Sequence, residues 1–153
     1  RIAPALAFSP EMCSLNMGSM NFSFHPLAKR YDTWKFDWEK DYVENSDTYI
    51  FRNTFRDIAN VANTLAPHAI KLEHECYDVG HLYNLRYCMD IGLFKAPIFI
   101  QFIFGILGGI GGLGMQSMAM MAMVRAAKAM ATGANTVDHH AGVVHRAALC
   151  AGG

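Results

Sequence analysis

Short apolar segments alternate with helical patterns along this chain, and this alternation restricts the fold more than any other feature of the sequence. The apolar segments cover residues 11–17, 69–77 and 97–104. Thr54 and Asp78, two residue types that cap helix N-termini, stand where helical patterns begin. Repeated strand and helix units predict an α/β protein with parallel strands.

The two best-defined helical patterns each place apolar residues on one face. Their apolar positions are Phe55, Ile58, Val61, Ala62 and Leu65 in the first, and Val79, Leu82, Leu85 and Met89 in the second. Beyond a glycine cluster, the composition predicts a third helix over 115–132, a short strand over 135–139 and a fourth helix over 143–150.

Composition excludes several classes of protein. A hydrophobic content of 52% with only 17% charged residues is too apolar for a disordered chain, so a core must form. Thirteen basic residues balance thirteen acidic ones, which provides no basic field for nucleic acid or for an anionic membrane surface. The four cysteines form no C-x-x-C pair and residues 1–11 lack the order of a secretory signal, so we expect a cytoplasmic protein.

One segment differs from the rest in composition. Half of the charged residues lie in 29–57, interleaved with the aromatic residues Tyr31, Trp34, Phe36, Trp38 and Tyr42. A charge-dense stretch is usually a solvated face, but aromatic residues within it favour a lid or a subunit contact. We expect residues 23–48 to form such an insertion within a single domain.

Two features open alternatives to an enzyme of the α/β class. Gly109–Gly114 reads G-x-G-x-x-G after a strand and before a helix, the context of a dinucleotide-binding module, although only Asp138 could serve as the acidic partner. The run 96–124 carries no charge and exceeds the roughly 20 residues that span a bilayer. Pro97, Gln101 and the glycines within that run favour a strand, a loop and a buried helix over a membrane span.

Four polar residues on two predicted strands are the candidate functional groups. Alternation places Glu73 and Glu75 on one face of the second strand, and Ser14 and Asn16 on one face of the first. Two acids side by side on a buried strand are costly unless they are paired or functional. The alternative is that one of them lies at a solvated end of the strand. Seven histidines are present, but His139, His140 and His145 match no zinc template, so we assign no metal ligand to this chain.

Three blocks of sequence resemble those of the β-keto acid cleavage enzymes, in the same order. Residues 10–22 resemble the P-E-M-x-[ST]-L-N-x-G-x-x-N-F strand, residues 73–81 the E-x-E-x-[YF]-[DE]-x-G strand, and residues 97–109 the P-x-x-I-Q-F-x-x-G-x-x-G-G strand. The segment from Phe24 to about Asn45 is longer than the family's loop, and beyond Met115 the resemblance fades.

The resemblance implies a (β/α)8 TIM barrel, of which residues 1–153 would form one partial domain containing about strands 4 to 7. We therefore expect a fragment of a larger chain, since such barrels typically need about 250 residues. The exposed strand edges of a partial barrel favour a homo-oligomer.

The resemblance also implies a reaction and roles for residues. The family condenses a β-keto acid with acetyl-CoA in a zinc-dependent reaction that gives acetoacetate and a new acyl-CoA. Ser14 and Asn16 would then bind the keto acid, and Glu75, the candidate catalytic residue, would help orient the base. The family's zinc ligands, a His-x-His pair and a glutamate, are expected outside this segment.

Overall fold

The computed structural model describes residues 2–111 together with Arg125 and Lys128. In chain order its helices and strands are α1 (Ala3–Phe8), β1 (Met12–Asn16), β2 (Met20–Asn21), α2 (Asp37–Glu44), β3 (Ile50–Phe51), α3 (Phe55–Leu65), β4 (Lys71–Cys76), α4 (Val79–Asp90) and β5 (Phe99–Phe102). Short 3₁₀ helices cover His25–Arg30, Asn45–Thr48 and Ala66–His68.

A parallel sheet of strand order β1-β4-β5 organises this part of the chain. Strand β4 pairs in parallel with β1 on one side and with β5 on the other. The connections between these strands contain α3 and α4, as parallel pairing requires. The predicted alternation of parallel strands and helices is therefore confirmed, whereas closure into a barrel stays a prediction.

Both long helices begin at the predicted capping residues. Thr54 Oγ1 accepts a hydrogen bond from the Asp57 amide at 3.3 Å, and Asp57 Oδ2 accepts one in return from the Thr54 amide at 2.8 Å. Asp78 Oδ1 accepts from the Gly80 amide at 2.8 Å at the start of α4. These bonds satisfy amides that the first turn of a helix leaves without a partner.

The core lies on one face of the sheet, between the strands and helices α3 and α4. Its most deeply buried members include Leu15, Ile58, Leu85 and Ile100. Burial of one such side chain stabilises the fold by about 1.5–3 kcal/mol. Because strand side chains alternate, the same packing leaves Ser14, Glu73 and Glu75 on the opposite face.

The charged aromatic segment, residues 23–48, contains α2 and two of the 3₁₀ helices. Ser46 is fully buried and anchors it: its hydroxyl accepts from the Phe24 amide at 3.0 Å and donates to the Val43 carbonyl at 2.7 Å. Tyr42 contacts the ring of Phe24 at 5.5 Å, yet the nearby Trp38 is 62% exposed. A role as a lid or subunit contact stays a prediction.

The uncharged run 96–124 does not begin as a membrane helix. Its residues Phe99–Phe102 are strand β5, and within residues 2–111 no helix is long and apolar enough to cross a bilayer. The predicted helices over 115–132 and 143–150, and the predicted strand over 135–139, lie outside the described residues.

Candidate functional site

The register of the sheet brings the four predicted polar residues together. Ser14 lies beside Glu73, and Asn16 lies beside Glu75, across the β1-β4 pairing. Gln101 of β5 flanks Glu75 on its other side. One face of three parallel strands therefore carries hydroxyl, amide and carboxylate groups near the strands' carboxyl ends, where α/β proteins bind ligands.

The closest contact on this face joins Ser14 and Glu73. The Ser14 hydroxyl donates to Glu73 Oε2 at 2.7 Å, a short charge-assisted hydrogen bond. The hydroxyl proton is therefore directed at the carboxylate, and only the oxygen lone pairs of Ser14 remain for another donor. The sequence showed which face each residue occupies but not this pairing.

The surroundings of Glu75 on this face shift its pKa. Partial burial raises the pKa of Glu75, and the negative charge of Glu73 raises it further, whereas the hydroxyls of Ser14 and Tyr77 offset part of the rise. Tyr77 donates to Glu75 Oε2 at 3.4 Å. A carboxyl group with a raised pKa can hold or share a proton closer to neutral pH than an ordinary glutamate.

Tyr77 and Gln101 belong to this face but were not singled out from the sequence. Tyr77 continues the alternation of positions 73 and 75 one step past the strand, so that alternation could have identified it. Gln101 lies on a different strand, and only the register places it beside Glu75.

Asn16 ends β1 and is buried, with 6% of its surface exposed. Its main-chain carbonyl accepts a hydrogen bond from the Asn53 side chain. Its side-chain oxygen is buried and has no hydrogen-bond partner among the described residues. A buried amide oxygen without a partner is energetically unfavourable, which makes this position a candidate for a ligand contact.

Asp78 and His81 also stand past the end of β4, but both stabilise the scaffold. Asp78 caps α4 through the Gly80 amide. His81 Nδ1 accepts from the Tyr77 amide at 3.1 Å, so the ring is neutral in this arrangement and Nε2 carries the hydrogen that faces the Ser19 carbonyl at 3.5 Å. Burial lowers the pKa of His81, with an opposing effect of the Ser19 carbonyl and Asp78.

The described part of the glycine loop has a structural explanation that does not favour a dinucleotide site. The Gly109 amide donates to the Ile106 carbonyl at 3.0 Å, and the Ile110 amide donates to the Tyr77 carbonyl at 2.7 Å. Amides committed in this way are not free to bind a pyrophosphate. A β-carbon at Gly109 would lie 2.7 Å from the Tyr77 carbonyl oxygen, so close packing alone explains that glycine.

No metal centre can be built from the described residues. Residues 2–111, with Arg125 and Lys128, contain no group of three or more histidine, cysteine, aspartate or glutamate side chains able to hold an ion. His139, His140 and His145 lie outside that part. Burial, together with the charge of Glu75, raises the pKa of the Cys76 thiol to about 12, which disfavours a thiolate there.

Comparisons with known proteins identify the family of this chain. A family model described as beta-keto acid cleavage enzyme matches residues 1–153. A 3,5-dioxohexanoate:acetyl-CoA acetone transferase of Paraburkholderia graminis is 49% identical over 106 residues, which are 69% of this chain and 34% of that protein. A 3-dehydrocarnitine:acetyl-CoA trimethylamine transferase of Rhizobium meliloti is 27% identical over 106 residues, 69% of this chain and 28% of that protein. The matched stretch thus spans about a third of the length of each relative.

Proposed function

The chain belongs to the beta-keto acid cleavage enzyme family, and on that premise we propose that its protein cleaves a β-keto acid with acetyl-CoA, yielding acetoacetate and a new acyl-CoA. The observation that carries the proposal is the polar face of β1, β4 and β5, where Ser14 and Glu73 lie at mid-strand and Glu75 lies near the carboxyl end of β4. Both relatives are named for reactions with acetyl-CoA, which supports this co-substrate.

The reaction requires a proton to leave the carbon beside the ketone. The enolate formed then attacks the thioester carbonyl of acetyl-CoA and expels the CoA thiolate. The thiolate adds to the ketone carbon, the bond between that carbon and the enolate carbon breaks, and protonation of the released carbanion gives acetoacetate beside the new acyl-CoA. A carboxylate that orients the base favours the first step, and we assign this role to Glu75. Its raised pKa and its contact with Tyr77 suit a group that shares a hydrogen bond with a base.

Ser14 and Asn16 are proposed to contact the keto acid. Asn16 contributes a side-chain amide whose NH₂ group can donate to an oxygen of the keto acid. Ser14 is held in place by Glu73, and its hydroxyl can donate to the keto acid when its proton turns away from Glu73 Oε2. The zinc that the family resemblance implies has no ligand cluster in residues 2–111, and we expect its ligands outside them.

Product analysis of the complete protein tests this function. We would incubate it with acetyl-CoA and either 3,5-dioxohexanoate or 3-dehydrocarnitine, the compounds for which the relatives are named, together with a panel of simpler β-keto acids. Formation of acetoacetate and the matching acyl-CoA in equal amounts, measured by mass spectrometry, is expected. Absence of both products with every keto acid would overturn the proposal.

A variant links the activity to this face. Glu75→Gln is expected to lower turnover about 10–100-fold while zinc content stays at the wild-type level, because Glu75 acts through the base and binds no metal. Asp90→Asn makes the same carboxylate-to-amide change on an exposed side chain at the end of α4 and should leave turnover unchanged. Equal turnover of Glu75→Gln and the wild type would remove Glu75 from the mechanism.

A further inference from the structure

Glu73 occupies the centre of the polar face, and the proposed reaction gives it no part. It lies directly across from Ser14 in the β1-β4 register, and its Oε2 accepts the Ser14 hydroxyl at 2.7 Å. Glu73 is only partly buried, so its position on the sheet does not require an acid for packing. An uncharged side chain would avoid placing a second carboxylate beside Glu75.

The two carboxylates stand two positions apart on the same strand face. The Ser14 hydroxyl donates to Glu73 Oε2 and also lowers the pKa of Glu75, and the Tyr77 hydroxyl donates to Glu75 Oε2. The two carboxylates and the two hydroxyls therefore form one row of side chains. Glu73 fixes the Ser14 hydroxyl at one end of this row, and its negative charge acts on the neighbouring Glu75. Removal of Glu73 would free the Ser14 hydroxyl and remove the nearest like charge from Glu75.

We propose that Glu73 is a positioning residue of the proposed active site: it orients the Ser14 hydroxyl and holds a negative charge beside Glu75 on the same strand face. The inference rests on the proposed function, because Ser14 and Glu75 are the groups through which Glu73 acts. It assigns to Glu73 no contact with the keto acid.

Glu73 is one of the few titratable groups on the face that carries Glu75. The titratable side chains of β4 that share the face are Lys71, Glu73 and Glu75, with Tyr77 just beyond the strand. The neighbouring strands contribute uncharged side chains there, namely Met12, Ser14 and Asn16 from β1 and Phe99 and Gln101 from β5. Lys71 stands at the far end of β4, so Glu73 is the charge adjacent to Glu75 on the described face.

Two variants separate the two effects of Glu73. Glu73→Gln keeps a carbonyl oxygen that can accept the Ser14 hydroxyl but removes the charge, whereas Glu73→Ala removes both. With the complete protein, Glu73→Gln should move the acidic limb of the kcat/KM profile to lower pH, because loss of a neighbouring negative charge lowers the pKa of Glu75. Glu73→Ala should lower kcat/KM by about tenfold or more. The matched control Asp90→Asn should leave the profile in place.

A double-mutant cycle tests the link to Ser14. If Glu73 acts partly through the Ser14 hydroxyl, the loss in Ser14→Ala/Glu73→Ala will be smaller than the product of the two single losses. Multiplicative losses, together with a Glu73→Gln profile that superimposes on the wild type, would overturn the proposal.

A readout that needs no turnover separates this inference from the proposed function. Carbon-13 NMR of labelled glutamate carboxyls follows the titration of Glu75 directly, with Glu75→Gln to assign its signal. A lower titration midpoint in Glu73→Gln supports the charge coupling even if no keto acid is cleaved, in which case only the proposed reaction fails. An unchanged midpoint overturns the coupling whatever the activity.

Discussion

The imidazole of His81 occupies the space beside Gly18 where any larger residue would place its β-carbon. A β-carbon built on Gly18 would lie 2.6 Å from His81 Cδ2 and 2.8 Å from Asn84 Nδ2. Asn84 in turn donates to the Met17 carbonyl at 2.9 Å. Helix α4 therefore holds the loop that follows β1, and this loop begins directly after Asn16.

The contact predicts that Gly18→Ala destabilises the fold. Backbone and ring cannot both keep their positions, and overpacking of this kind costs about 1–3 kcal/mol. Urea denaturation of the complete protein measures the change in the free energy of unfolding. Gly80→Ala is the matched control, because its β-carbon would meet only the end of the Asp78 side chain at 3.2 Å, which can move aside. Equal stability of the two variants would contradict the close packing at Gly18.

His74 predicts a loss of stability in mild acid. Its Nδ1 donates to the Phe99 carbonyl at 2.9 Å, its ring packs edge-on against Phe94, and its Nε2 is buried without a partner in the described residues. Burial lowers the pKa of His74 below its ordinary value of 6.5, against a smaller opposing effect of the Phe99 carbonyl. As the pH falls below about 6.5, the unfolded chain binds the proton first, so folding stability is lost.

Measurement of unfolding midpoints between pH 7.5 and about pH 5 checks this expectation. In His74→Leu, stability should fall less steeply as the pH is lowered. Part of the fall should remain, because the pKa of His81 is also lowered. His68→Gln, which alters an exposed histidine, should leave the wild-type slope. A His74→Leu slope equal to that of the wild type would show that His74 is not kept neutral by the fold.

Local pattern predicted much of the sheet and helix framework. Thr54 and Asp78 cap helices where the sequence indicated, and Glu73 and Glu75 share a face because strand alternation requires it. These features depend on neighbours in the chain. The Ser14–Glu73 bond joins residues 59 positions apart, and no periodicity within either strand determines their register.

The missed elements are short or depend on distant contacts. Strands β2 and β3 have two residues each and pair only with one another, so neither contains enough positions to show an alternation. The glycine loop suggested a dinucleotide site because G-x-G-x-x-G does not distinguish close packing from ligand binding. The carbonyl of Tyr77, distant in sequence, explains its first glycine, Gly109, and the main chain of Asn21 explains the preceding Gly108.

Gly108 offers a test of that packing explanation. Its φ of +102° is unfavourable for other residues, and a β-carbon there would overlap the Asn21 carbonyl oxygen. Gly105 also has a positive φ, +84°, but among the described residues nothing lies within 4 Å of its β-carbon position. Gly105→Ala should therefore cost roughly 1–2 kcal/mol from backbone strain alone, and Gly108→Ala clearly more. Urea denaturation measures the change in the free energy of unfolding for both variants. Equal losses would show that the contact with Asn21 adds nothing to the cost at Gly108.

Removal of the Tyr77 hydroxyl should shift the pKa of Glu75 in the opposite direction to removal of the Glu73 charge. Its hydroxyl donates to Glu75 Oε2 at 3.4 Å and lowers the pKa of Glu75, against the larger rise from burial and from the charge of Glu73. Tyr77→Phe keeps the ring, which contacts Phe22, but removes the hydroxyl. The pKa of Glu75 should then rise, so the acidic limb of the kcat/KM profile should move to higher pH, whereas Glu73→Gln moves it lower.

The pH profiles of Tyr77→Phe, Glu73→Gln and the wild type, recorded in one buffer series, measure these shifts. Tyr83→Phe is the matched control, since Tyr83 is 74% exposed on α4. Opposite displacements of the two variants would identify Glu75 as the group that titrates in the acidic limb, because both changes act on its carboxylate from different sides. Displacement in the same direction would assign that limb to another group and exclude Glu75 as its source.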